Sequence, residues 1–164
     1  DCTAELACAC ACGRTRFSLR ARPFARFHCH CGICRTLYGR PSADVSVLRA
    51  VDLQPPPAER MRVARYRPPP ALDRALCVEC GTPLYGTLSL LPFGRGPRLF
   101  AFVPSANVLE PQALPAPAMH IFYDRRVADR EDGLPAHSGY LRSELAVTAL
   151  ALRGLFAARG RVAD

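Results

Sequence analysis

The sequence predicts a mainly β fold that carries one C-terminal amphipathic helix. Three observations predict it. Short apolar stretches recur between turn formers, with 16 prolines and 11 glycines among 164 residues. Leucine and alanine take up a helical period only near the end of the chain. Cysteines fall in tight clusters, which can staple short elements through a bound metal. A hydrophobic fraction of 49% against 22% charged residues fits a globular chain with a real core and excludes a disordered one.

Taken in order, residues 14–20 alternate around Phe17 and Leu19, and residues 24–28 are short and apolar enough for a second strand. Residues 45–51, 61–66, 84–91, 99–103 and 119–124 follow as further strands. Loops are expected at Pro55-Pro56-Pro57, Pro68-Pro69-Pro70, Gly94-Arg95-Gly96-Pro97 and the proline-dotted stretch 104–117. From residue 140 to 159, Leu141, Leu145, Ala149, Leu152 and Phe156 recur at helical intervals, Gly154 interrupts weakly and Gly160 stands where a C-cap would. This helix packs on the β core or offers a homodimer contact. The expected organisation is a metal-binding β domain over residues 1–140 with a helical extension over 141–164.

Every one of the 22 basic residues is arginine, so Schiff-base chemistry on a lysine is excluded. The formal net charge is +8, concentrated in residues 1–70, and reads either as an arginine-rich solvated face or as the mark of an anionic partner. On the second reading the partner is a carboxylate-bearing small molecule or nucleic acid. Aromatics are not interleaved with the arginines and no recognition helix is evident, so nucleic acid is not expected. The opening residues show neither a basic nor an apolar leader segment, and the longest uncharged run, 80–94, is broken by glycine and proline. A cytoplasmic protein without a membrane span is expected.

Nine cysteines in a reducing compartment call for metal rather than disulfides. Cys10-Ala11-Cys12-Gly13 and Cys77-Val78-Glu79-Cys80-Gly81 are each a close ligand pair followed by glycine. Two such knuckles close one tetrahedral four-sulfur zinc site, which is structural because no position stays open. Cys8 creates an ambiguity of register, which Gly13 resolves toward Cys10 and Cys12. Cys29-His30-Cys31-Gly32-Ile33-Cys34 has three sulfurs and no second pair. In an extended segment Cys29 and Cys31 share one face while His28 and His30 share the other, and a turn at Gly32 brings Cys34 to the first. Three ligands with an open fourth position make a catalytic zinc; a fourth ligand from Cys2, Cys8 or a folded-back histidine would make it structural.

Together these motifs resemble the glutathione-dependent formaldehyde-activating enzyme family, which includes the centromere protein V-like proteins. The resemblance rests on CxCG at residues 10–13, CHCxxCR at 29–35 with Gly39 beyond it, CxxCGTxL at 77–84, HIF at 120–122 and the late Leu134-Pro135. It runs over residues 7–140. It implies an Mss4-like fold of coiled β-sheets with two zinc ions, the structural one on Cys10, Cys12, Cys77 and Cys80 and the catalytic one on Cys29, Cys31 and Cys34. Where the family often has a tryptophan after HIF, this chain has Val127-Ala128-Asp129. The implied activity is a carbon–sulfur lyase reaction in its formal direction, condensing glutathione with formaldehyde to S-(hydroxymethyl)glutathione. Three thiolates on Zn²⁺ leave a net charge of −1, suited to binding a fourth thiolate and presenting its sulfur as nucleophile. Arg35, directly after Cys34, is the candidate clamp for a glutathione carboxylate, or else a donor to the zinc thiolates. His30 is a candidate proton shuttle or a packed residue, and His120 is read as structural. The competing reading is a non-enzymatic zinc module that binds protein or nucleic acid through its basic half. A thiol other than glutathione is a further possibility.

Overall fold

The computed structural model describes residues 5–68, 71–89 and 97–160. Its strands are β1 (Leu6–Ala9), β2 (Arg16–Leu19), β3 (Ala25–Cys29), β4 (Ala43–Arg49), β5 (Leu53–Gln54), β6 (Met61–Arg65), β7 (Ala71–Cys77), β8 (Pro83–Ser89), β9 (Phe100–Pro104) and β10 (His120–Ile121). Two helices accompany them, α1 (Gly32–Tyr38) and α2 (Tyr140–Gly160). A three-stranded sheet has the order β1-β2-β5, and a seven-stranded sheet has the order β10-β3-β4-β9-β8-β7-β6. All pairings are antiparallel except β10 with β3. The described strands form no closed barrel, and no described helix is long and apolar enough to cross a membrane.

The large sheet is covered on both faces, which explains why its central strand is apolar throughout rather than alternating. In β9, Ala101 and Val103 join the core under the small sheet, with Leu6, Leu19, Leu48 and Leu84. Phe100 and Phe102 point the other way and join Phe27, Val45, Val47, Cys29 and Cys34 beneath the helices. The site described below lies in this second core.

The predicted mainly β class and the C-terminal helix are both present, and four elements add to the prediction. β1, β5 and α1 are short. β7 lay hidden because its sequence carries Asp73 and Arg74 among apolar residues. The strand accommodates them on opposite faces: Asp73 accepts from Arg65 Nε at 2.7 Å and from Arg98 Nη2 at 2.6 Å, while Arg74 turns toward Cys34. The segment predicted as a strand over 119–124 shortens to β10, because Phe122 takes the left-handed conformation (φ 50°) and a 3-10 turn follows at Tyr123–Arg125. Likewise the strand expected over 45–51 ends at Arg49, where the 3-10 turn Ala50–Asp52 begins. Residues 90 and 91 of the predicted 84–91 strand, and the expected Gly94-Arg95-Gly96 turn, lie outside the described residues.

Helix α2 packs through the face opposite to the one its leucines suggest. Leu141, Leu145, Leu152 and Phe156 are 74, 68, 41 and 64% exposed. Ala151 and Ser143 are buried, and Ala146, Val147, Leu150 and Leu155 are partly buried against the helix-side core. Close approach decides the face. Ser143 Oγ accepts the Phe122 N–H at 2.8 Å and donates to the His137 carbonyl at 3.3 Å. Gly154 rests on the Phe24 ring, where an added Cβ would stand 1.9 Å from a ring carbon. In an open helix Gly→Ala gains roughly 0.5–1 kcal/mol. Here Gly154→Ala is expected to destabilise by about 1–3 kcal/mol through overpacking, read as a lower urea midpoint. A raised midpoint would contradict this packing.

Candidate functional site

The first cysteine cluster joins the turn between β1 and β2 to the turn between β7 and β8. Gly13 donates its N–H to the Cys10 carbonyl and Gly81 donates to the Cys77 carbonyl, each at 2.9 Å. Both glycines are left-handed, with φ of 74° and 70°, a conformation that reverses the chain under the sulfurs at little steric cost. The Sγ atoms of Cys10, Cys12, Cys77 and Cys80 lie within 4.8 Å of one another. Tetrahedral Zn–S bonds of ~2.3 Å place sulfurs about 3.8 Å apart, so the four thiols fit one zinc ion. Thr15 N–H donates to Cys10 Sγ at 3.4 Å, and its hydroxyl lies 3.2 Å from Cys77 Sγ. The Thr82 hydroxyl lies 3.0 Å from Cys80 Sγ. Against desolvation, which raises its pKa, hydrogen bonds from the Thr82 hydroxyl and N–H bring Cys80 down to about 6.

Cys29 ends β3, held between Ala43 of β4 and Ile121 of β10. Cys31 is the N-cap of α1 (φ −65°, ψ 153°), and its sulfur accepts the Cys34 N–H at 3.4 Å. The chain therefore goes from strand to helix rather than through a simple turn at Gly32, and Gly39 in the left-handed region (φ 60°) ends the helix. The three Sγ atoms lie within 4.8 Å of one another, and no fourth histidine, cysteine or carboxylate joins them among the described residues. Hydrogen bonds from the Cys29 and Cys34 thiols hold Cys31 far below the ordinary thiol range. Cys29 is pushed well above it by hydrogen bonding to Cys31 and Cys34 and by burial. Arg74 Nη2 donates to Cys34 Sγ at 3.6 Å. Hydrogen bonding to Cys29 and the Arg74 charge favour the Cys34 thiolate, but Cys31 and burial outweigh them and push the thiol up to about 11. These donors suit a soft cation such as zinc.

The three cysteines line a cavity of about 450 Å³ between the large sheet and the two helices. Phe27, Val45, Leu72, Phe100 and Phe102 form its sheet side, Ile121 and Phe122 one end, and Val147 and Ala151 of α2 its roof. Arg67, Arg74 and Arg125 also line it. Arg67 pairs with Glu144 at 3.4 Å and lies 5.4 Å from the Tyr140 ring centre, and Arg125 lies over Phe122.

The family model described as glutathione-dependent formaldehyde-activating enzyme matches residues 5–125. The chain belongs to this family. Among solved structures, a Rhodobacter sphaeroides protein determined by structural genomics is similar over 80% of this chain and 99% of its own length, at 18% identity and a TM-score of 0.48. No curated protein matches the chain significantly.

In this member of the formaldehyde-activating family, the seven cysteines singled out in the sequence gather into the two predicted groups. Cys8 is in neither: it is buried in the core under the small sheet, and burial pushes its thiol up to about 12. Cys2 lies outside the described residues. His28 and His30 face away from the sulfurs, as strand alternation requires. His28 stacks on His120 at 5.1 Å; His30 Nε2 and His120 Nδ1 share a hydrogen bond at 2.9 Å; His120 Nε2 meets Asp132 at 2.9 Å. None of these imidazoles completes the second group. Arg35 does not line the cavity: its Nε donates to the His30 carbonyl at 3.1 Å. The sequence reading missed Thr15, Thr82, Arg67, Arg74, Arg125 and Asp132. Only the threonines carried a signal, since each stands one or two residues beyond a knuckle glycine.

Proposed function

We propose that this chain condenses glutathione with formaldehyde to S-(hydroxymethyl)glutathione, a carbon–sulfur lyase reaction in its formal direction. The observation that carries this reading is a group of three thiols without a fourth protein ligand among the described residues, opening on a cavity whose lining includes three arginines. Membership of a family described as glutathione-dependent formaldehyde-activating supports glutathione and formaldehyde as the substrates. Cys10, Cys12, Cys77 and Cys80 would hold one zinc ion as a structural staple, and Cys29, Cys31 and Cys34 a second. When bound there, zinc supplies Lewis-acid stabilisation of a substrate thiolate at neutral pH.

The protein's own groups then divide the work. Arg67 and Arg125 take the carboxylates of glutathione, because a guanidinium pairs with a carboxylate through two parallel hydrogen bonds. Glu144, now paired with Arg67, makes that arginine a switchable clamp. Arg74, beside Cys34, donates toward the oxygen on which charge develops as sulfur adds to the carbonyl carbon. The thiol proton ends on that oxygen. Arg35 acts as a positioning residue, tying α1 to the His30 carbonyl between two of the cysteines. The basic excess is drawn partly into ion pairs such as Arg26–Asp44 and Arg49–Asp52, which leaves less of it for a polyanion. The described cysteines are all free thiols, which suits a reducing, cytoplasmic setting. A homodimer formed through α2 would use its outward ridge of Leu141, Leu145, Leu152 and Phe156.

Glutathione–formaldehyde exchange followed by NMR tests the reading, because the reaction has a measurable spontaneous background. The zinc-loaded protein is expected to accelerate exchange in proportion to its concentration. Arg67→Ala is expected to raise the half-saturating glutathione concentration roughly 10-fold or more, the loss of a charge-assisted contact of about 1.5–3 kcal/mol, with a smaller effect at saturation. Exchange no faster than in buffer would sink the proposal.

A further inference from the structure

The cavity is larger and more apolar than formaldehyde needs. It encloses about 450 Å³, whereas formaldehyde has two heavy atoms and a water molecule takes about 30 Å³ of liquid. Glutathione does not account for the walls either. Its two carboxylates, ammonium and amides lose hydration without compensation against hydrocarbon, and the cations that suit them, half-buried Arg67, exposed Arg125 and Arg74 beside Cys34, line only part of the cavity. The sheet-to-roof end, from Phe27 and Phe102 to Val147 and Ala151 on α2, is mainly hydrocarbon, and Tyr38, Arg74, Tyr85 and Thr148 add polar groups to the lining. Phe27, Phe102 and Ala151 are all buried, so this end is shielded from solvent. The α2 residues also lie beyond residues 5–125, where the family model ends. The roof of the cavity is thus set by a segment outside the matched region.

We propose that this site takes, in preference to formaldehyde, an aldehyde bearing an alkyl or aryl group, which seats between the large sheet and α2 while its carbonyl carbon meets the substrate thiol at Cys29, Cys31 and Cys34. The proposal rests on the thiol–aldehyde reading above and names the class of aldehyde that site takes. The chemistry is an addition without redox change. The thiol sulfur forms one bond to the carbonyl carbon, the C=O π pair moves to oxygen, and the thiol proton ends there as the hydroxyl of a hemithioacetal. An apolar group R on the aldehyde gains by leaving water for these walls, which formaldehyde cannot do.

The test compares formaldehyde, hexanal and benzaldehyde as partners of glutathione with the zinc-loaded full chain, by NMR exchange above the spontaneous rate. Half-saturation by hexanal or benzaldehyde is expected at a concentration at least tenfold lower than by formaldehyde. Ala151→Phe, which fills the roof, is expected to cut the hexanal-to-formaldehyde efficiency ratio tenfold or more. A binding readout keeps the proposal testable should that variant fail to fold: calorimetry should show S-hexylglutathione binding wild-type protein at least tenfold tighter than S-methylglutathione. Equal affinities of the two thioethers would overturn the proposal. So would acceleration of formaldehyde exchange with none for hexanal or benzaldehyde, an outcome that leaves the proposed function standing. No acceleration for any aldehyde would overturn both.

Discussion

Cys77→Ser is expected to strip one equivalent of zinc from the chain and to unfold it. Cys77 is fully buried at the end of β7, and its group ties the β1–β2 turn to the β7–β8 turn across the core under the small sheet. Metal binding at structural sites is worth on the order of 10–16 kcal/mol in small zinc domains, which exceeds the usual 5–15 kcal/mol stability of a whole domain or matches it. Elemental analysis should find at most one zinc per chain, and circular dichroism should show lost sheet signal at 25 °C. Cys8→Ser is the control, since Cys8 belongs to the core rather than to the sulfur group. It should keep both zinc equivalents and cost only about 1–3 kcal/mol for a buried hydroxyl. Zinc loss in Cys8→Ser together with retention in Cys77→Ser would reverse the assignment of ligands.

Cys34→Ser should behave in the opposite way, leaving the fold intact while removing the chemistry. Its sulfur is one of only three in the second group, whereas α1 is held by its Cys31 cap, its Gly39 terminus and the Arg35 contact. Loss of outer contacts around a metal typically costs 10–100-fold in affinity or activity, so loss of a ligand is expected to cost at least about 100-fold in exchange rate. One zinc per chain should remain and the fold should persist, with stability lowered only by the ~1–3 kcal/mol of a buried hydroxyl. Undiminished exchange in a variant shown to hold one zinc would place the reaction elsewhere.

The two cysteine groups were legible because ligand spacing is local: a pair two or three positions apart with a following glycine already defines a knuckle. The division of the CHC segment was legible for a similar reason, since alternation in a strand puts Cys29 and Cys31 opposite His28 and His30. What escaped depends on contacts distant in sequence. β7 reads as broken by Asp73 and Arg74 until Arg65 and Arg98 are seen to neutralise the first and the sulfurs to receive the second. Arg35 is adjacent to Cys34 in sequence, but on a helix the next residue points about 100° away, so its guanidinium leaves the cavity. Arg67 and Arg125 reach the cavity from remote segments. On α2, leucine and alanine occupy both faces, and the inner one was selected by Gly154 and Ser143, whose small size a hydrophobic pattern does not register.

The central claim is that Cys29, Cys31 and Cys34 form an open metal site that accepts a thiol. Glutathione titration of the cobalt-substituted protein, following the sulfur-to-metal absorption band, tests it most directly. A saturable change is expected, absent in Cys34→Ser. An unchanged band at millimolar glutathione, with cobalt bound at both groups, would contradict the account and leave the second group a structural one.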